Sequence, residues 1–292
     1  MPSWSVLKVL LKEMVTSQQL ERINEPTLVM DNPQQVREYT LAGLEGGVMA
    51  PVYLFHCAQV CEVIRPGDRI LDLACGPANQ LAQIARLNPD CQFVGVDLSP
   101  EMLDRARELT ASQGLSNISF VDGSITDLNQ FDDNSFDAVM STMALHHLPD
   151  ETCLNQTFKE AARVLKPDGG MYLADFGHLK RKDSIEYFAY QYVDRQPPLF
   201  TLDYLNSLHA AFSLDNFQTA CNQSFNHRAR VLGTWCVPYM VVVKTSPRRE
   251  LPETLAKSLH NLRDALPDHH KTDLADMRTF FRMGGLPSKA LA

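Results

Sequence analysis

Residues 70–79 read Ile70-Leu71-Asp72-Leu73-Ala74-Cys75-Gly76-Pro77-Ala78-Asn79. An apolar strand over 69–73 runs into a tight loop of small residues, and a helix over 80–87 follows directly. Small side chains let the backbone approach a ligand closely, and the helix N-terminus behind the loop presents unpaired N–H groups to it. A loop of this kind binds something polar at the carboxyl end of a sheet, where α/β folds place their ligands.

One strand further on, Val94-Gly95-Val96-Asp97-Leu98-Ser99 ends in an acid 21 positions after Gly76. A carboxylate there accepts hydrogen bonds from both hydroxyls of a ribose, so the two anchors together imply a nucleoside. A dinucleotide loop would need the three glycines of G-x-G-x-x-G to seat a pyrophosphate, and this loop has one. Asp72 adds negative charge where a pyrophosphate would be repelled and an ammonium attracted. The pattern favours S-adenosylmethionine (SAM) over a nicotinamide cofactor, with a purely structural loop cap as the alternative for Asp72.

The surrounding texture fits this site. Short apolar runs at 69–73, 92–96, 118–121, 136–141 and 170–176 alternate with helical segments at 80–87, 100–113 and 152–164, the pattern of a parallel sheet covered on both faces. Two further strands, around 224–232 and 239–245, would add an antiparallel pair at the edge. The predicted fold is α/β: a Rossmann-like, seven-stranded, mostly parallel sheet. Residues 1–62 read as an N-terminal helical cap, 63–245 as the main domain with a helical lid at 178–224, and 246–292 as a helical tail around Pro267. The lid carries Tyr187, Phe188, Tyr190, Tyr192, Phe200, Tyr204 and Phe212, enough aromatic surface to line a pocket or to pack as lid faces. Two uses of the tail stay open, a homodimer contact or another wall of the site.

Composition narrows the class. The chain has 292 residues, 45% hydrophobic and 21% charged, with a net charge of −8. Its basic residues are scattered, which speaks against nucleic acid as partner. No stretch reaches the roughly 18 apolar residues of a membrane span, so no membrane partner is expected. The apolar run at Val6–Met14 is broken by Lys8, Lys12 and Glu13 at helical spacing and reads as an amphipathic helix rather than a signal peptide. Seven cysteines with no CxxC pair suggest reduced thiols and a cytoplasmic location. No metal is expected: Met140-Ser141-Thr142 offers no acid, Cys57 and Cys61 would pack on one helix face, and His269-His270 sits in a charged tail that reads as solvated.

From about Val63 to Thr245 the chain resembles the class I SAM-dependent methyltransferases. The family's first motif, D/E-x-G-x-G-x-G, stands here as Asp72-Leu-Ala74-Cys-Gly76-Pro-Ala78, with alanine at the outer two glycine positions. Asp122-Gly123-Ser124 resembles the adenine-binding turn, Ser135–Val139 with Ala144–Leu148 the fourth motif, and Ala162–Gly170 the turn before strand five. The resemblance implies cofactor contacts from Asp72, Ala74, Gly76, Asp97, Leu98, Asp122, Gly123, Ser124 and Ser141, and from Tyr39 in the cap. The Asn/Asp-Pro-Pro-Tyr/Phe motif of nucleobase enzymes is absent, which favours a small-molecule acceptor.

Methyl transfer asks the protein mainly to align the acceptor and exclude water. An alcohol acceptor also needs a base. His146, His147 and Asp175 are the candidates, because Leu-His-His-Leu-Pro-Asp and Ala-Asp-Phe resemble segments of natural-product sugar O-methyltransferases in which a histidine pair and this aspartate act in catalysis. Adjacent helical residues diverge by roughly 100°, so one histidine at most is expected to face the acceptor. Two other readings stay open: a SAM-binding protein without catalysis, and the same fold used for other SAM chemistry.

Overall fold

The computed structural model describes residues 4–291. Its sheet contains β1 (Arg69–Leu73), β2 (Gln92–Asp97), β3 (Ile118–Asp122), β4 (Phe136–Thr142), β5 (Leu165–Phe176), β6 (Ala229–Gly233) and β7 (Met240–Thr245). The strand order is β3-β2-β1-β4-β5-β7-β6, and β7 runs antiparallel to both of its neighbours while the other pairs are parallel. Order reverses between β1 and β4, and a crevice opens beyond the carboxyl ends of strands at such a reversal.

Eleven helices dress the sheet among the described residues. Three precede it: α1 (Trp4–Val15), α2 (Pro33–Ala42) and α3 (Ala50–Val63). The main domain then adds α4 (Asn79–Leu87), α5 (Pro100–Ser112), α6 (Glu151–Val164), α7 (Lys182–Tyr190), α8 (Pro198–Ala210) and α9 (Leu214–Phe225). The tail supplies α10 (Glu253–Ala265) and α11 (Asp268–Met283). No helix among the described residues is long and apolar enough to cross a membrane.

Alternation along each strand divides the core in two. Ile70, Met140 and Tyr172 pack on one face with α3, α4, α10 and α11. Leu71, Val139 and Leu173 pack on the other with α6 and α9. Cap and tail therefore share one core with the sheet: Phe281 of α11 stacks on Phe55 of α3, with ring centroids 4.7 Å apart.

Three sequence expectations need correction here. Residues 214–225, which the sequence reading leaves as the end of the lid and the start of a strand, form helix α9, started by a reciprocal Ser213–Asn216 capping box; β6 begins only at Ala229. Strand five starts at Leu165 rather than Gly170. Phe136 pairs with Leu165 and Ala138 with Gly170, so residues 166–169 bulge outward opposite Asp137, held by the Lys166 Nζ–Asp137 Oδ1 ion pair at 2.7 Å. Gly170 re-enters the sheet where any Cβ would lie 2.0 Å from the Val63 carbonyl oxygen, so only glycine fits. Finally, His270 is buried within α11 instead of solvated.

Candidate active site

The loop after β1 takes its shape from three left-handed residues. Ala74, Gly76 and Ala78 have φ of 55°, 54° and 61°, the same alternate positions at which the motif spacing calls for glycine. Alanine holds this conformation at a cost of roughly 1 kcal/mol or more each. At Gly76 a Cβ would meet nothing within 4 Å of protein and would project into open space. Its N–H donates to Asp97 Oδ2 at 2.8 Å, and the Ser99 N–H donates to Asp97 Oδ1 at 2.9 Å. With only backbone donors on it, the Asp97 carboxylate keeps acceptor capacity for a ligand. Burial raises the Asp97 carboxyl above its usual range, against the pull of these backbone donors.

Two cavities flank the loop. One, of about 200 Å³, is lined by Asp97, Leu98, Gly123 and Ser124, with Leu28, Met30 and Met102 as apolar walls. The other is a small polar recess of about 30 Å³ containing Tyr39, Asp72, Ala74, Gly76, Asn79 and Gln80. Asp72 is buried, and burial with nearby Asp97 pushes its carboxyl well above the usual range. Beside it, Asn79 Oδ1 and Gln80 Nε2 are buried without hydrogen-bond partners. An acid, an orphaned acceptor and an orphaned donor suit the ammonium and carboxylate of an amino acid, while the larger cavity, with its acid and apolar walls, suits a nucleoside. The residues present therefore fit SAM.

Two predicted cofactor residues stand apart from these cavities. Asp122 is exposed at the end of β3 and lines neither, although its neighbours Gly123 and Ser124 do. Ser141 is fully buried and donates to the Leu73 carbonyl at 2.7 Å, tying β4 to β1. Its place in the strand turns the hydroxyl into the sheet, away from the crevice.

Beyond β4, Met143 adopts φ 52°, and Leu145–His147 form a single 3₁₀ turn. The turn brings His146 onto Asp175. His146 Nδ1 lies 2.7 Å from Asp175 Oδ1, and the His146 backbone N–H donates to Asp175 Oδ2 at 2.9 Å. Asp175 has no exposed surface, and its two oxygens hold the His146 ring and backbone in place. His147 lies beside His146 with ring centroids 4.5 Å apart and planes tilted by 35°; burial and His146 push it down to about 3.

Both histidines line a third cavity, of about 340 Å³, walled by Tyr192, Phe200 and Tyr204 from the lid and by Asp273 and Met277 from the tail. Phe188 and Phe212, by contrast, pack in the core, and Tyr190 is exposed. Met30, Tyr39, Met143 and His147 belong to this chamber and to the nucleoside-sized cavity alike. Sequence reasoning missed Met143 and also Glu25, whose Oε1 lies 3.9 Å from His146 Nε2. Glu25, His146 and His147 each offer a ligand atom within 4.8 Å of the others, the one grouping among the described residues with metal-ligand character.

Glu25 arrives on an irregular strap over residues 16–32 that Arg22 clasps. Its guanidinium donates to the carbonyls of His146, Leu148, Pro149 and Ala210 and lies over the Phe212 ring. Charged donors of this sort contribute about 1.5–3 kcal/mol each. Arg22→Met should therefore speed hydrogen exchange across 16–32, lowering local protection by about 2 kcal/mol or more; unchanged exchange would show that other contacts hold the strap.

Residues 64–202 match a family model described as a methyltransferase domain. The chain is 34% identical over 132 residues to a 2-phytyl-1,4-naphtoquinone methyltransferase of Nostoc sp., covering 44% of this chain and 56% of that one. It is 32% identical over 114 residues to the 27-O-demethylrifamycin SV methyltransferase of Amycolatopsis mediterranei, covering 39% of this chain and 40% of that one. The matched part thus spans about half the length of these relatives. Among solved structures, a SAM-dependent methyltransferase from Aquifex aeolicus shares the fold with a TM-score of 0.52 at 17% identity, covering 74% of this chain and 98% of that one. The sheet order, the loop after β1 and these matches agree: residues 64–202 match a methyltransferase domain, carried on the fold that the Aquifex aeolicus SAM-dependent enzyme shares.

Proposed function

We propose that the protein transfers a methyl group from SAM to an oxygen or nitrogen of a small-molecule metabolite or natural product. The observation that carries this reading is the shared wall: Met30, Tyr39, Met143 and His147 line both the nucleoside-sized cavity and the larger chamber. When bound, SAM supplies an electrophilic methyl on a sulfonium whose departure needs no acid. Asp72 and Asp97 would hold its charged and ribose ends, and Gly76 leaves room for it. The chamber, walled by strap, lid and tail, would limit the water that reaches the acceptor. His146 takes the acceptor's proton at Nε2, and Asp175 fixes the ring for that task through Nδ1. The names of the relatives, one acting on a quinone and one on a rifamycin, support a small acceptor of largely apolar body.

Incubation with SAM and fractionated metabolites tests the reading. Release of S-adenosylhomocysteine in equal amount with a methylated product is expected; binding of SAM without release would favour a non-catalytic binder. Asp97→Ala should weaken S-adenosylhomocysteine roughly 10- to 100-fold by calorimetry, since hydrogen bonds to a charged group contribute about 1.5–3 kcal/mol. Asp122→Ala, at an exposed position outside the cavity lining, should cost much less. Equal losses would place the ribose elsewhere.

A further inference from the structure

The chamber beside His146 carries charge of one sign. Glu25, Asp203 and Asp273 line it, and no lysine or arginine does. Asp273 is matched by Arg195 at 3.2 Å and by the Tyr192 hydroxyl at 2.9 Å. Asp203 has no such match, and Glu25 has no lysine or arginine in ion-pair contact, only the His146 ring at 3.9 Å. The Glu25 side chain is 92% buried and accepts from Ser207 Oγ at 2.9 Å, while every donor of nearby Arg22 is spent on carbonyls and on Asn24. Asp203 accepts from Gln35, and its Oδ2 is buried without a partner. Ser207, one turn after Asp203 on α8, places its Oγ 2.9 Å from both Glu25 Oε1 and the Asp203 carbonyl oxygen, with a single proton to share between them.

A second observation points into the same space. The His146 ring is 97% buried, its Nε2 makes no hydrogen bond, and Glu25 Oε1 stands 3.9 Å away. Around these groups lie Phe176, Tyr204 and Tyr239, whose ring faces attract cations. Buried carboxylates without a counterion are costly, and a ligand cation offsets that cost where an anion would add to it. Burial accordingly pushes Asp203 up to about 6, with Glu25 adding to the rise, and raises Glu25 as well.

We propose that Glu25 and Asp203 form an ammonium-binding subsite, so that the molecule this chamber takes carries a basic amine on an apolar or aromatic body, and molecules bearing a carboxylate or phosphate are refused. The proposal rests on the chamber being the acceptor side of the methyl-transfer reading; which atom of the molecule is methylated is a separate matter.

Calorimetric titration of the full chain with tyramine, tyrosol and 4-hydroxyphenylacetate tests it, since these three share a shape and differ in charge at one end. Each is titrated with and without S-adenosylhomocysteine. Tyramine should bind about tenfold or more tighter than tyrosol, and 4-hydroxyphenylacetate should give no heat. Glu25→Gln with Asp203→Asn should erase the preference and leave S-adenosylhomocysteine affinity unchanged, because neither residue lines the nucleoside-sized cavity. Equal affinity for tyramine and tyrosol overturns the proposal, and so does a preference that survives the double substitution. So too does silence with tyramine while zinc chloride titrates onto Glu25, His146 and His147. The charge series on the unaltered protein decides the matter even if the double variant fails to fold. Absent S-adenosylhomocysteine heat alongside an intact amine preference would sink methyl transfer and leave the subsite standing.

Discussion

Replacing His146 with alanine is expected to lower turnover by about 10²- to 10⁴-fold, the usual contribution of a positioned general base, while SAM binds nearly as before. The separation follows from where the ring sits. His146 lines the chamber alone, whereas His147 lines both the chamber and the nucleoside-sized cavity. Two hydrogen bonds fix His146 on Asp175, one from the ring at 2.7 Å and one from the backbone at 2.9 Å. The variant keeps the backbone bond, so the turn should persist. Asp175→Asn keeps the shape but offers an amide in place of one carboxylate oxygen, and should lose turnover in the same direction with little change in KM for SAM. His147→Ala should disturb SAM affinity as well. Single-turnover rates and nucleoside calorimetry, measured side by side, check all three; full turnover in His146→Ala would remove the residue from the mechanism.

Phe281→Ala should destabilise the protein by about 3–5 kcal/mol, as truncating a buried aromatic ring generally does. Phe281 has no exposed surface and stacks on Phe55 at an interplanar angle of 12°. The cavity it would leave lies between the tail and α3, two elements that cannot easily close on it because α3 is itself pinned against the sheet. A fall in Tm on the order of 10 °C is expected in calorimetry. Met277, one turn earlier on α11, lines the acceptor chamber, so a shift of this helix should also raise KM for the acceptor. An unchanged Tm would mean that the tail contributes nothing to the common core.

The fold was legible because its signals are local. Apolar runs at β1, β2 and β4, each followed by a helical segment, leave few topologies, and the motif spacing from Asp72 to Ala78 marked the left-handed positions even with alanine at two of them. Helix α9 escaped because its polar stretch Asn216–Ser224 hides the spacing of Phe217, Ala220, Cys221 and Phe225, the face that packs on α6. The site was legible only in part. Asp97 and the His146–Asp175 pair sit at strand ends, where the fold dictates position. Ser141 also sits near a strand end, but strand parity aims it inward, a detail that residue type cannot reveal. Glu25 and Asp203 reach the chamber through tertiary packing of a strap and a lid helix, and no spacing in the chain relates residue 25 to residue 146 or to residue 203.

The Arg22 clasp grips main-chain oxygens of the turn that carries the histidines, without touching a side chain of that turn. Carbonyls are the same whatever residue bears them. Drift in the reactive positions would leave the latch intact, so this architecture is free to explore new chemistry at 145–149 without first redesigning the door that shuts over it.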